Sequence, residues 1–180
     1  MLSEELSCPG HSNVLQIIKK HHSLLTHSIK VIQNKGAVAA DKQNQVGLFI
    51  RLFQSHSIAE EATLYSVLKD IEESQLPTFE GQEEHAVCKI LIDELEKLNF
   101  RSQWSHEIEA KAIVLSEIVA HHISDEENDI FIHAQQLLTS EELLIIGEEY
   151  QRHFNSYFLK SSKPIRQSEL TLLNTISTHY

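Results

Sequence analysis

The sequence predicts an all-α protein, an up-down-up-down four-helix bundle with one additional C-terminal helix. Three observations predict it. Helix breakers are scarce, with 5 Gly and 3 Pro in 180 residues, and no proline lies between Gly81 and Pro164. Apolar residues recur at steps of three and four, which places them on one face of a helix. No segment shows the period-two alternation of a strand, and the linkers are short enough to set sequential helices antiparallel.

The first segment, about 12–34, carries Leu15, Ile18, Leu25, Ile29 and Ile32 on one seam, and His22 stands where an apolar residue is missing. Pro9 and Gly10 precede it, and Asn34 and Gly36 mark its end. The second, about 43–73, aligns Leu48, Leu52, Ala59 and Val67, with His56 and Glu60 inside the stripe. Pro77 and Gly81 separate it from the third, about 79–98, where Cys88, Ile92 and Leu95 share the face of His85. The fourth, about 103–137, places Leu115, Ile118, His122 and Glu126 together. A fifth, about 140–158, opens with Thr139 or Ser140 ahead of Glu142, the pattern of a capping box. The expected organisation is a short N-terminal extension over 1–11, the bundle over 12–160, and a tail or short helix over 161–180.

Composition narrows the function. A net charge of −11 disfavours nucleic acid and anionic membranes. No apolar run approaches the ~20 residues of a membrane span. The start, MLSEELSCPGHS, lacks the basic and apolar regions of a secretory signal. Cys8 and Cys88 have no metal or redox spacing and read as free thiols. A cytoplasmic protein is expected. The unusual feature is a count of 12 His.

Two of those histidines open matching segments, HSIAEEATLY from His56 and HISDEENDIF from His122. Residues four apart on a helix share a face. His56 with Glu60, and His122 with Glu126, therefore each aim an imidazole and a carboxylate at the apolar seam. Two carboxylates in one core repel each other, and a bound cation removes that cost. Glu61 and Glu127 lie about 100° further round and are expected beside the site or in solvent. Imidazole and carboxylate without thiolate suits Fe, Mn or Zn. No His has Glu three residues before it, so the Glu-x-x-His pairs of ferritin-like bundles are absent. No His-Glu-x-x-His zinc-protease motif is present either.

The pieces IIKKHHSLL, HSIAEEATLY, EEHAVCKILIDEL, HHISDEENDIF and SEELLIIGEEY resemble the hemerythrin-like, or HHE cation-binding, family across roughly 12–158. The resemblance implies a four-helix bundle holding two non-haem irons. Its ligand set, carried over by position, is His22, His56, Glu60, His85, His122 and Glu126, with Glu60 and Glu126 bridging. The chain departs from the family at three places. Ser66 and Ile132 replace a proline common in members, so both helices are expected to run on unkinked. His21-His22 replaces Asp-His, which leaves His21 as an alternative to His22. Helix three offers His85 alone, with Lys89 and Gly81 one turn to either side, where oxygen-carrying hemerythrins have a second histidine.

The resulting expectation is a di-iron protein that binds or reacts with dioxygen, peroxide or nitric oxide, in oxidative or nitrosative stress or iron handling, without carrying dioxygen reversibly. A metal-dependent sensor module, or a structural metal site without turnover, is the alternative. His11, His27, His106, His133, His153 and His179 are expected at the surface, and His121 beside the site. Cys88, Trp104, Tyr65 and Phe131 are expected to pack, the last two at matched positions.

Overall fold

A computed structural model describes residues 12–160. The expected N-terminal extension, with Cys8 and His11, and the expected C-terminal tail, with His179, lie outside the described residues. Among the described residues the secondary structure is helical and no strand occurs. Helix α1 (Val14–Ile32) starts at a capping box in which Asn13 accepts from the Gln16 amide and Gln16 answers the Asn13 amide. Helices α2 (Ala39–Ala62) and α3 (Leu64–Leu68) follow, then a 3-10 turn (Glu72–Ser74) and α4 (Gln75–Lys97). Helix α5 (His106–Asp125) is capped by Ser105 and passes through a π-turn (Glu126–Ile130) into α6 (Phe131–Leu137). Helix α7 (Ser140–Lys160) begins at a reciprocal Thr139–Glu142 capping box, which selects Thr139 over Ser140.

Helices α1, α2, α4 and α5 form a closed circuit of neighbours, α1 on α2, α2 on α4, α4 on α5 and α5 on α1. Helix α7 packs across α1 and α2. The α1 seam is buried throughout, His22 included. A second stripe of α1, Val14, Ile17, His21 and Ser28, is buried as well. One-sided amphipathicity predicts a single buried face; the second exists because α1 also contacts α7.

Two expectations about helix continuity fail. The second long helix breaks at Thr63, where φ is −128° and ψ is −91°. The Thr63 hydroxyl donates to the Ala59 carbonyl at 2.6 Å, a local side-chain bond that competes with the helical ladder. After the break α3 buries Leu64, Tyr65 and Leu68, and Val67, expected on the seam, is exposed. The fourth long helix loosens into the π-turn, where the Phe131 amide donates to the Glu126 carbonyl five residues back. Neither irregularity needs proline. Each adjusts the phase by about one residue, and the reason is local. In a straight α-helix a residue five positions on lies about 140° from its starting face. Tyr65 follows Glu60 by five, and Phe131 follows Glu126 by five. The break and the π-turn bring both aromatics back to the buried side.

Candidate metal centre

Four helices deliver the site. His22 comes from α1, His56 and Glu60 from α2, His85 from α4 and His122 from α5, and Glu126 opens the π-turn. All six are buried. His22, His56, Glu60 and Glu126 form one group able to offer ligand atoms within 4.8 Å of one another, and Glu60, His85 and His122 form another. Glu60 belongs to both. The structure thus brings these six residues together.

The outer nitrogen of each histidine is held. His22 Nδ1 lies 2.7 Å from Glu127 Oε1, His85 Nδ1 2.9 Å from Glu61 Oε1, and His122 Nδ1 2.8 Å from Glu84 Oε2. A carboxylate accepts, so each Nδ1 carries the proton and each Nε2 turns a lone pair inward. Those inward nitrogens crowd together: His85 Nε2 and His122 Nε2 are 3.1 Å apart, and His85 Nε2 is 3.4 Å from Glu60 Oε2. His22 Nε2 is 3.0 Å from Glu126 Oε2, and His56 Nε2 is 3.0 Å from Glu60 Oε1. Lone pairs facing lone pairs at such distances call for a cation between them. Consistently, both oxygens of Glu60 and of Glu126, and Nε2 of His22 and His56, are buried without a hydrogen-bond partner. Residues of this kind fit a metal of the Fe, Mn or Zn type.

The electrostatics record the same strain. Burial, and the Glu126 carboxylate beside it, push Glu60 well above the usual carboxylate range. Burial and the neighbouring histidines push His56 well below the imidazole range. For Glu126, burial works upward, but the His22 ring 3.0 Å away outweighs it and holds the group low. For His22, burial works downward, and Glu126 and Glu127 overcome it to raise the ring.

Aromatics wall the site. Tyr65 stacks on His85 at 5.6 Å and Phe131 on His22 at 5.9 Å, so the matched positions cover two different histidines in the same way. The Tyr65 hydroxyl is buried without a hydrogen-bond partner, and it lies where a Cβ on Gly81 would come within 2.6 Å. Glycine at 81 makes room for the phenol. Phe53 stands edge-on to His85 at 5.7 Å and to His122 at 6.3 Å, and lies tilted against His56 at 6.3 Å.

His21 is also buried, but it points to the other side of α1. Its Nδ1 is 2.8 Å from the Tyr150 hydroxyl, which is 2.9 Å from His56 Nδ1. His21 therefore supports a site histidine through Tyr150 and belongs to neither ligand group. Burial lowers it to about 3, so it is neutral. Sequence reasoning missed Tyr150, since its segment carried no ligand motif, and missed Glu84, which reaches across from α4 to His122 on α5. His121 is exposed beside the site, near Glu84 and Asp125. His27 and His106 are exposed, and His133 and His153 half-buried, none of them in a ligand group. Cys88 packs in the core with its thiol pushed by burial up to about 12, and Trp104 packs against that core. Lys89 is exposed.

The hemerythrin HHE cation binding domain is the family whose pattern matches the chain, over residues 13–134. That span holds all six site residues and stops before α7. No curated protein and no solved structure matches the chain.

Proposed function

Because the chain belongs to the hemerythrin HHE cation-binding domain family, we propose that it is a non-haem di-iron protein reacting with a small ligand such as dioxygen, peroxide or nitric oxide. In this reading residues 12–160 are one hemerythrin-like unit, a four-helix bundle of alternating direction built from the circuit α1, α2, α4 and α5. His22 and His56 would hold one metal and His85 and His122 the other, together with Glu60 and Glu126. The observation that carries the reading is the pair of ligand groups that share Glu60, lined with buried imidazole and carboxylate atoms that have no other partner. No helix among the described residues is long and apolar enough to cross a membrane.

Bound iron supplies redox chemistry and open positions for an exogenous ligand. The residues of the chain set the conditions for it. Glu61, Glu84 and Glu127 fix ring orientation and raise the basicity of three ligands. Phe53, Tyr65 and Phe131 exclude water from the histidine faces. The Tyr65 hydroxyl is a buried donor with no acceptor committed to it, suited to hydrogen-bond a small ligand held beside Glu126. Only one histidine comes from α4, which leaves the centre more open than that of an oxygen carrier.

Metal analysis of protein grown with iron, with stopped-flow spectra of the reduced protein mixed with oxygen or nitric oxide, tests this. Close to two irons per chain and rapid, irreversible reaction are expected. An unresponsive spectrum sinks the reactive role, and a ligand complex that persists for minutes and releases dioxygen under vacuum makes the protein a carrier instead.

A further inference from the structure

The centre is reached from outside by a cleft whose chemistry differs from that of the centre itself. The cleft lies between α4 and the junction of α5 with the π-turn and encloses about 180 Å³. At roughly 30 Å³ per water it has room for a partly hydrated ion. Glu80, Glu84, Asp125 and Asp129 line it, and His122 and the buried carboxylate of Glu126 stand at its inner end. Neither Glu126 oxygen has a hydrogen-bond partner. No lysine or arginine lines this cleft.

At the mouth, Glu84, His121 and Asp125 can offer ligand atoms within 4.8 Å of one another. His121 Nδ1 is 3.0 Å from Asp125 Oδ2 and 3.4 Å from Glu84 Oε1. The second oxygen of Glu84 holds His122. One side chain thus spans the outer group and an inner histidine. A different opening, of about 500 Å³, reaches His22 between α1 and α5, but Lys30 and His27 line it alongside the single carboxylate Glu127.

Resting on the metal-binding reading above, we propose that the acidic cleft is the loading passage for divalent cations such as ferrous iron, with Glu84, His121 and Asp125 as an outer holding station and Glu126 as the first inner acceptor. Clustered carboxylates in a cleft concentrate a cation locally and speed its capture. Anions are repelled by the same field, so the passage selects metal over anionic ligands.

Ferrous iron alone, added anaerobically to the stripped full-length chain, gives the test by its uptake rate. Two exposed positions in the cleft, Glu80→Gln with Asp125→Asn, are compared with two exposed positions elsewhere on α5, Glu107→Gln with Glu117→Gln, which remove the same charge. The cleft pair is expected to slow uptake about 3–10-fold at low ionic strength, with final stoichiometry unchanged and the gap closing at high salt. The control pair is expected to change it little. A second measurement needs no mutation: hexaamminecobalt(III), which does not exchange its ligands, should slow iron uptake by the wild-type chain by occupying the cleft. Equal slowing by the control pair, or uptake indifferent to both the cleft substitutions and the cobalt complex, overturns the passage while leaving the centre intact. A chain that never takes up metal removes the centre and the passage together.

Discussion

His56 and the other three site histidines differ in what stands behind them. His22, His85 and His122 donate Nδ1–H to Glu127, Glu61 and Glu84, carboxylates with 34%, 43% and 26% side-chain exposure. His56 has only the buried Tyr150 hydroxyl, backed by neutral His21 and the ring of Phe154, 4.1 Å from His21. Behind the carboxylates is water, which screens and solvates a charge. Behind His56 is α7, and a carboxylate there would be buried without compensation. The two halves of the centre are consequently unequal. The half containing His85 and His122 has two anionic supports, and the half containing His22 and His56 has one. Anionic support raises ligand basicity and favours the more highly charged metal state.

The largest effects come from Glu60, which belongs to both ligand groups, and from Glu126, whose buried carboxylate faces His22. Glu60→Ala and Glu126→Ala are expected to abolish two-metal binding, measured as metal per chain, whereas Glu61→Ala and Glu127→Ala are expected to retain it. Glu60 also predicts a pH signature of the stripped protein. Burial and the Glu126 carboxylate hold its folded pKa well above the ordinary 4.5 of a glutamate. The folded state therefore holds its proton longer than the unfolded state, so the contribution of Glu60 to stability is complete below about pH 4.5 and is lost as pH rises. Metal-free Glu60→Gln should lack that loss and be more stable than metal-free wild type at pH 7. A stripped wild-type chain as stable at pH 7 as the variant would show that the two carboxylates do not oppose each other.

Next in size are the supporting carboxylates. Glu61→Ala, Glu84→Ala and Glu127→Ala are each expected to lower metal affinity about 10–100-fold, as removal of such partners does, in a competition titration against a chelator. Loss at Glu84 should be accompanied by slower loading, since it also serves the outer cleft. No change from any of the three would erase the distinction between charged and neutral support.

The pairing of His56 with Glu60 and of His122 with Glu126 was legible because spacing by four is a property of a single helix. The seams of α1 and α4 placed His22 and His85 for the same reason. What escaped depends on contacts between helices. Glu84 serves a histidine of α5, and nothing in the local sequence of α4 distinguishes it from Glu83 or Glu80. Tyr150 lies beyond the span of the family match, and the burial of His21 follows from α7 covering a second face of α1. The breaks in the repeated segments were not legible from the absence of proline, because proline is not the only cause of a break. A threonine bonding back to its own helix and a π-turn did the same work. The matched aromatics five residues after each glutamate carried that signal, since a straight helix would turn them away.

His21 supplies a smaller, pH-dependent effect. Burial lowers its folded pKa from 6.5 to about 3. The unfolded chain binds the proton first as pH falls, so the stability tied to neutral His21 is complete above about pH 6.5 and is lost as pH falls toward 3. One proton is worth about 1.4 kcal/mol per pH unit. Between pH 7 and 5, wild type is expected to lose about 2 kcal/mol more than His21→Leu, read from urea unfolding of loaded protein at the two pH values. Identical acid losses in the two proteins would place His21 in a more solvated setting than the packing of α7 implies.

The smallest effect should come from Tyr150→Phe, and it tests the comparison most directly. The substitution keeps the ring against His21 and Phe154 and removes only the hydroxyl that joins His21 to His56. A neutral hydrogen bond contributes about 0.5–1.5 kcal/mol net, against about 1.5–3 kcal/mol for one to a charged group. Metal affinity should therefore fall by about 2–10-fold, less than for the three carboxylates. His56 Nδ1–H would be left in a dry pocket, because α7 keeps out the water that can replace Glu61 or Glu127 at the rim. That penalty works against the small expected loss, so the measured order of the two effects decides which governs. A loss from Tyr150→Phe smaller than that from Glu127→Ala means that the charge of the support sets the strength of a ligand. A larger loss means that exclusion of water matters more, and the weakly supported half of the centre is then the half on which metal retention depends.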